Sequence, residues 1–177
     1  MSLVPVWYST NFGLLVLTGQ GLAGLAFGVA VATVRGSPSR AVMGDLGNIL
    51  LTYVLLWAYL AFTAYLIIWG GNLPDEIVWY VRRLHTGWWW IGLLLITCHF
   101  FIPLLVLLSR SAKMVNIALG ALAAGLLLIH LVDAWWLTVP SVRPRSAHVF
   151  WLAPLAAAGF IALVAARVRG DLVGRAA

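Results

Sequence analysis

Five long stretches of almost uninterrupted apolar residues occupy most of this chain, and short turns rich in Arg, Pro and Gly separate them. The stretches cover residues 12–33, 46–68, 86–108, 114–137 and 150–166. Each approaches or exceeds the roughly 20 residues that an α-helix needs to cross a hydrocarbon core of about 30 Å. The pattern predicts an all-α fold, in which one polytopic transmembrane bundle of five helices forms a single domain over residues 1–177.

The composition excludes a water-facing fold. Hydrophobic residues make up 63% of the 177 positions and charged residues only 9%, against about 25% charged residues in soluble domains. The net charge of +6 would suggest nucleic-acid binding in a soluble protein, but here the basic residues lie between helices, so no nucleic-acid partner is expected. The single cysteine, Cys98, lies inside the third stretch, so this chain alone cannot hold an iron–sulfur cluster.

The basic side chains also predict an orientation. Seven of them fall on one side of the bundle, at Arg35, Arg40, Arg110, Lys113, Arg167, Arg169 and Arg175. Four fall on the other side, at Arg82, Arg83, Arg143 and Arg145. The richer side should be cytoplasmic, which places the N-terminus outside and the C-terminus in the cytoplasm. No basic segment precedes a short apolar stretch at the start, so a cleaved signal peptide is not expected.

Small residues are spaced for close helix contacts. Gly24 and Gly28 form a GxxxG pair in the first stretch, and Gly120 with Ala124 and Ala158 with Ala162 offer similar faces. Such pairs let another helix approach closely. Ordinary packing is the favoured interpretation, and we expect the first helix to be buried against protein.

Polar residues form a stripe on the second helix. Asn48, Thr52, Tyr59 and Thr63 fall within one arc at about 3.6 residues per turn. The favoured interpretation is hydrogen bonding to a neighbouring helix. The alternative is a hydrated track for protons or for a quinone headgroup.

The third helix carries a titratable group near its middle. His99 is followed four residues later by Pro103, which has no N–H to donate to the His99 carbonyl, so the helix can kink there. An ionisable residue inside a span is costly and often functional. A neutral, hydrogen-bonded structural histidine remains an equal alternative.

The fourth helix carries His130 and Asp133, which the i to i+3 spacing places on one face. The expected partner of Asp133 is His130, or Arg143 or Arg145 from the next loop. The pair either fixes the helix end or forms a proton exit.

Haem ligation by these histidines is not expected. Counted from the predicted outer helix ends at about 1.5 Å per residue, His99 is about 18 Å deep and His130 about 10 Å deep, a mismatch too large for one iron. His85 and His148 share a depth at the outer starts of the third and fifth helices, so they form an alternative, weakly supported candidate pair. No metal site is predicted.

The segment after the second helix is rich in special residues. Gly70, Gly71, Asn72 and Pro74 predict a turn, and Asp75 with Glu76 predicts the start of a short interfacial helix. With Arg82 and Arg83, this segment is a candidate docking site for a partner protein.

Two helices together resemble a known family. The resemblance rests on the aromatic run from Trp57 to Trp69, the segment Gly71-Asn72-Leu73-Pro74-Asp75-Glu76, Trp79-Tyr80 and Arg82-Arg83. It continues through Trp88, His99-Phe100, Pro103, Leu108-Ser109-Arg110, Lys113, Asp133, Trp136 and Pro140. Between Trp57 and Pro140 the chain resembles the F subunit of bacterial alternative complex III, a quinol:cytochrome c oxidoreductase, within the NrfD-like (polysulfide-reductase-type) membrane subunits.

The resemblance implies the second half of a ten-helix subunit that packs beside membrane and periplasmic partners. It implies a complex containing haem c, iron–sulfur clusters and quinol, with no cofactor bound by this chain alone. We therefore expect a respiratory-complex subunit without its own redox centre that contributes a proton route. In that route His99 relays a proton and Asp133 accepts it. The alternatives are half of a small transporter or channel that dimerises through Gly24 and Gly28, and a scaffold without chemistry.

Overall fold

The computed structural model describes residues 9–36 and 38–142, and this part of the chain is entirely helical and turn. Its helices are α1 (Phe12–Arg35), α2 (Arg40–Gly71), α3 (Pro74–Leu84), α4 (Trp88–Leu95), a π-helix (Ile96–Phe101), α5 (Ile102–Leu108), α6 (Arg110–Lys113) and α7 (Asn116–Val142). The predicted fifth span, residues 150–166, lies outside the described residues. Arg143, Arg145, His148 and the side chain of Asp75 also lie outside them.

Four segments of the described chain are long and apolar enough to cross a membrane. They are Phe12–Arg35, Arg40–Gly71, Trp88–Leu108 and Asn116–Ser141, and the third of them joins α4, the π-helix and α5. These segments confirm four of the predicted spans and indicate a multi-pass membrane protein. The predicted starts of the first, third and fourth spans agree with the structure within two residues.

Helix α2 is longer than the apolar pattern predicts at both ends. At its start the Ser39 hydroxyl accepts a hydrogen bond from the Val42 N–H at 3.4 Å, as an N-cap residue does. At its other end Asn72 adopts a left-handed conformation, with φ 45° and ψ 35°, and its N–H donates to the Ile68 carbonyl. Asparagine tolerates this conformation better than most residues. Pro74 then takes the first turn of α3, which confirms the predicted short helix.

The main core lies where α1 packs against α2 and α7. Its fully buried members include Leu22, Ala26, Leu50, Val54, Leu119 and Ala123. Gly120 allows close approach here, because an added Cβ would lie 2.6 Å from Thr33 Oγ1. Asn116 Nδ2 donates to the Thr33 carbonyl at 3.1 Å. The predicted close packing is confirmed at Gly120, whereas Ala124 is exposed.

The Gly24 and Gly28 pair faces away from this core. Both residues are exposed, and an added Cβ at either would meet no atom within 4 Å. Helix α1 instead contacts its neighbours through Gly19 and Gly21, where an added Cβ would meet side chains of His130 and Tyr53. No helix of the described chain therefore covers the GxxxG face, in contrast to the expected burial.

Candidate functional site

Three ionisable side chains and a tryptophan meet in the interior of the bundle. His99 comes from the π-helix, His130 and Asp133 from α7, and Trp57 from α2. The ring centroids of His99 and His130 are 6.1 Å apart, and those of Trp57 and His99 are 4.2 Å apart. His99 is 0% exposed and Asp133 is 4% exposed. We call these four residues the His–Asp cluster.

The prediction that His99 and His130 lie at different depths is wrong. It took Leu137 as the outer end of the fourth span, whereas α7 continues to Val142. Those five extra residues add about 7.5 Å at 1.5 Å per residue, which brings His130 to a depth close to that of His99. The predicted difference in depth therefore does not exclude a joint role for the His99 and His130 rings.

The π-helix places His99 in the cluster. Its six residues form turns that are wider than those of an α-helix, and the Ile102 N–H donates to the Thr97 carbonyl five residues earlier. Pro103, which is fully buried, follows within the next turn. Pro103 lacks the N–H that would donate to the His99 carbonyl, and the structure places it directly after the π-helical turn. Such turns are rare in proteins but frequent at functional sites.

The polar atoms of the cluster are poorly paired. Both ring nitrogens of His99, both ring nitrogens of His130 and Trp57 Nε1 are buried, and none makes a full hydrogen bond to another described residue. His130 Nδ1 lies 4.0 Å from Asp133 Oδ2, as the i to i+3 spacing predicts. The Trp57 indole interacts with the Asp133 carboxyl without reaching hydrogen-bond geometry. Each unpaired buried polar group costs about 1 to 3 kcal/mol, so the cluster favours a small polar molecule as a hydrogen-bond partner.

Helix α1 closes one side of the cluster at Gly19. A Cβ added there would lie 3.0 Å from His130 Cε1 and 3.8 Å from Trp57 Cδ1. The contact with Trp57 would be an ordinary one, but the His130 ring would have to shift to make room for a larger residue. Gly19 is therefore part of the site, although its position in a glycine-rich helix did not single it out.

The predicted polar stripe of α2 does not join the His–Asp cluster. Asn48 and Thr52 are exposed, and so is 64% of Tyr59. Lys113 Nζ donates to Asn48 Oδ1 at 2.6 Å, and Thr52 Oγ1 donates to the Asn48 carbonyl at 3.0 Å. The expected hydrogen bond across helices is confirmed at Asn48, while Tyr59 and Thr63 make no hydrogen bond within the described chain. The sequence-predicted relay residues thus separate into a buried cluster and an outward stripe.

The predicted docking segment also separates into two parts. Asn72, Pro74 and Arg82 are exposed, and Glu76 is half-buried, so these residues form an accessible surface. Arg83 is only 2% exposed and is used inside the chain. It does not fit a role in docking, because its side chain is covered.

Arg83 joins α3 to the end of α7. Its guanidinium lies 3.5 Å from the Trp79 ring centroid and 5.2 Å from that of Trp136. It donates to the carbonyls of Trp79, Trp136 and Leu137 at 2.8, 3.2 and 3.1 Å. Burial lowers the pKa of Arg83 to about 9, and burial raises the pKa of the neighbouring Tyr80 to about 12. The hydrogen bonds from Arg83 to Trp136 and Leu137 hold in place the turn of α7 that follows Asp133.

Other features of the described chain offer less chemistry. A groove of about 420 Å³ runs beside the cluster, lined by apolar side chains together with Cys98, Pro103 and Gly125. Among residues 9–36 and 38–142, no three His, Cys, Asp or Glu side chains come close enough to hold a metal ion.

Comparison with known proteins supplies no further constraint on the site. No protein family and no curated protein matches this chain.

Proposed function

We propose that this protein is an integral membrane subunit of a quinol-oxidising respiratory complex similar to alternative complex III, in which the His–Asp cluster moves protons. The resemblance between Trp57 and Pro140 supports the placement in such a complex. In this proposal haem c, iron–sulfur clusters and the oxidation of quinol belong to partner membrane and periplasmic subunits. The bilayer of a bacterial inner membrane surrounds the bundle.

The cluster itself is the observation that carries the proton role. Neutral imidazole has one nitrogen that donates and one that accepts, so it can take a proton at one atom and release another proton from the second. His99 would pass a proton to His130, and Asp133 would receive it towards the end of α7. Burial of ionisable groups inside a span is costly, and a purely structural cluster would be expected to pair its nitrogens. Here none of the four ring nitrogens makes a hydrogen bond within the described chain, although His130 Nδ1 lies 4.0 Å from Asp133 Oδ2.

Membership in a complex is tested by purifying the tagged chain in mild detergent, identifying its partners by mass spectrometry and recording a reduced-minus-oxidised spectrum. Partners that carry c-type haem and iron–sulfur clusters, together with a haem signal, are the expected result. A lone, colourless oligomer would contradict the respiratory assignment.

The proton role is tested in the purified complex with His99→Gln and Asp133→Asn. Both variants keep side-chain volume but remove the titratable group, so we expect proton release per quinol to fall while assembly stays intact. His85→Gln is the matched control, because His85 is exposed and lies outside the cluster. Full quinol oxidation and full proton release in both cluster variants would contradict the proton role. Helix packing would then be enough to explain the His–Asp cluster.

One observation favours a second candidate function. The uncovered Gly24 and Gly28 face suits a copy of this chain, as the half-transporter alternative requires. Solute or ion uptake by liposomes that contain the purified chain alone would support that alternative over the respiratory one.

A further inference from the structure

The His–Asp cluster holds more hydrogen-bonding atoms than its own contacts satisfy. Both ring nitrogens of His99 and both of His130 are buried, and none of the four makes a hydrogen bond to a described residue. The same holds for Trp57 Nε1. His99 is 0% exposed and Asp133 is 4% exposed, so bulk solvent does not reach these side chains. Buried polar atoms are nearly always paired, and a partner for this cluster must therefore lie inside it.

All four described membrane spans contribute to the walls of the cluster. Helix α1 contributes Gly19, where an added Cβ would lie 3.6 Å from His130 Nδ1. Helix α2 contributes Trp57, whose ring centroid lies 4.2 Å from that of His99. His99 itself belongs to the third span, and His130 and Asp133 belong to the fourth. A partner held between four packed helices has to be small.

The gaps inside the cluster match the reach of a single water molecule. The ring centroids of His99 and His130 are 6.1 Å apart, and the two rings make no direct hydrogen bond. A water oxygen bonds nitrogen at about 2.7 to 3.2 Å, so it joins two partners that are up to about 6 Å apart. His130 Nδ1 and Asp133 Oδ2, at 4.0 Å, are also too far apart for a direct bond and close enough for a water bridge.

The donors and acceptors of the cluster distinguish water from an ion. A neutral imidazole has one N–H donor and one acceptor nitrogen, whereas Trp57 Nε1 only donates. An anion such as chloride offers no donor to the acceptor nitrogens of His99 and His130. A cation such as ammonium offers no acceptor to the N–H groups of these two rings and of Trp57. Water both donates and accepts, and an internal water typically has about three polar partners.

We propose that the His–Asp cluster binds one water molecule between the His99 and His130 rings, with a hydrogen bond to a ring nitrogen of each. The binding follows from the pairing of buried polar atoms and holds for any function of the chain. Its use as a proton bridge rests on the proposed function. His99 takes up a proton at one nitrogen and releases the proton of its other nitrogen to the water, which passes one of its own protons to His130. His130 then releases a proton to Asp133, and the water is unchanged after the transfer.

The first test is X-ray footprinting of the protein purified from native membranes together with its partners. Radiolysis turns bound water into hydroxyl radicals, which oxidise the side chains beside it, and mass spectrometry locates the oxidised residues. Trp57 is 6% exposed and the matched control Trp79 is 5% exposed, so bulk water reaches the two side chains equally poorly. A water in the cluster should make Trp57 oxidise several-fold faster than Trp79. Equal rates for the two tryptophans would overturn the proposal.

A variant connects this oxidation to the histidine rings. His99→Leu removes both ring nitrogens, so the water loses a partner and the oxidation rate of Trp57 should fall to that of Trp79. His85→Leu is the control, because His85 is exposed and lies outside the cluster, and it should leave the Trp57 rate unchanged. A Trp57 rate that stays high in His99→Leu would overturn the assigned place of the water. The comparison of Trp57 with Trp79 in the wild type does not require this variant to fold.

A density map of the same sample, at a resolution that shows ordered water, locates the molecule directly. The expected result is an isolated peak at about 2.7 to 3.2 Å from a ring nitrogen of His99 and from one of His130. A side chain from residues 143–177 between the rings, a direct bond between the rings, or a peak that disappears when the buffer salt is changed would each overturn the proposal. Proton release in His99→Gln and Asp133→Asn tests the proton role separately, so failure of the water site and failure of the proton role give different results.

Discussion

Arg83 Nε donates a hydrogen bond at 3.2 Å to the carbonyl oxygen of Trp136, which has no helical donor because Pro140 occupies the position four residues later. A buried arginine thus completes a helix that proline interrupts. The planar guanidinium also reaches the carbonyls of Trp79 and Leu137, so several donors act from one rigid group.

Arg83→Lys should destabilise the protein, because an ammonium group keeps the charge but cannot reach these carbonyls in the same fork geometry. We expect a loss of about 2 to 4 kcal/mol, seen as a lower midpoint of thermal unfolding in detergent. Arg82→Lys is the matched control, since Arg82 is exposed on the same helix. Equal midpoints for the two variants would show that the carbonyl contacts do not stabilise the fold.

Tyr80 should give the protein a pH dependence in the alkaline range. Burial raises its pKa from 10.0 to about 12, so between these values the folded state holds a proton that the unfolded state has lost. Stability should therefore fall as the pH rises from 10 to 12. The comparison is with Tyr80→Phe, which lacks this proton and should lose less stability over the same range.

The alkaline comparison separates two opposed effects. Burial lowers the pKa of Arg83 to about 9, so loss of its charge should raise stability above pH 9 in both proteins. The difference between wild type and Tyr80→Phe gives the tyrosine contribution together with its electrostatic coupling to Arg83. A difference that stays constant from pH 9 to 12 would contradict the buried environment of Tyr80.

Gly19→Ala should disturb the His–Asp cluster without touching an ionisable group. The added methyl would lie 3.0 Å from His130 Cε1, so the His130 ring must move or the helices must part, at a cost of about 1 to 3 kcal/mol. We expect lower thermal stability and less proton release per quinol in the complex. Gly13→Ala on the same helix meets no atom within 4 Å and should change neither measurement.

The predicted orientation can be tested with single cysteines in a Cys98→Ala background. Ser111→Cys lies on the side rich in basic residues, and His85→Cys lies on the opposite side; both positions are exposed. A membrane-impermeant maleimide applied to intact cells should label position 85 and spare position 111. The reverse pattern would invert the predicted topology.

The sequence predicts the spans well because apolar length is a local property. It predicts helix ends less well, because polar residues extend a helix when capping and packing favour them. Helix α2 begins at Arg40, six residues before its apolar run, and its early residues Met43, Gly44 and Gly47 are buried. The missed end of α7 at Val142 had the larger effect, since it led to the wrong relative depth of His99 and His130.

The direction in which a polar residue faces is not a local property. Spacing alone predicts that Asn48, Thr52 and Tyr59 share a face, and the structure agrees. It does not reveal that Trp57, on the opposite side of α2, contacts His99. The sequence likewise assigns Arg83 to the docking segment. Its burial depends on contacts with carbonyls more than 50 positions away, which no local pattern reveals. Pro140 was the available signal, since it marks an acceptor at Trp136 that some donor must satisfy.

The π-helical turn at Ile96–Phe101 ties the length of the third span to its winding. The wider turn takes up one residue more than α-helical winding would, so an uninterrupted α-helix of the same length would rotate α4 relative to α5 by about 100°. Trp88 and Leu107, which are both buried, would then no longer face the bundle together. Related chains with a continuous α-helix in this span should therefore be one residue shorter there if they bury both positions.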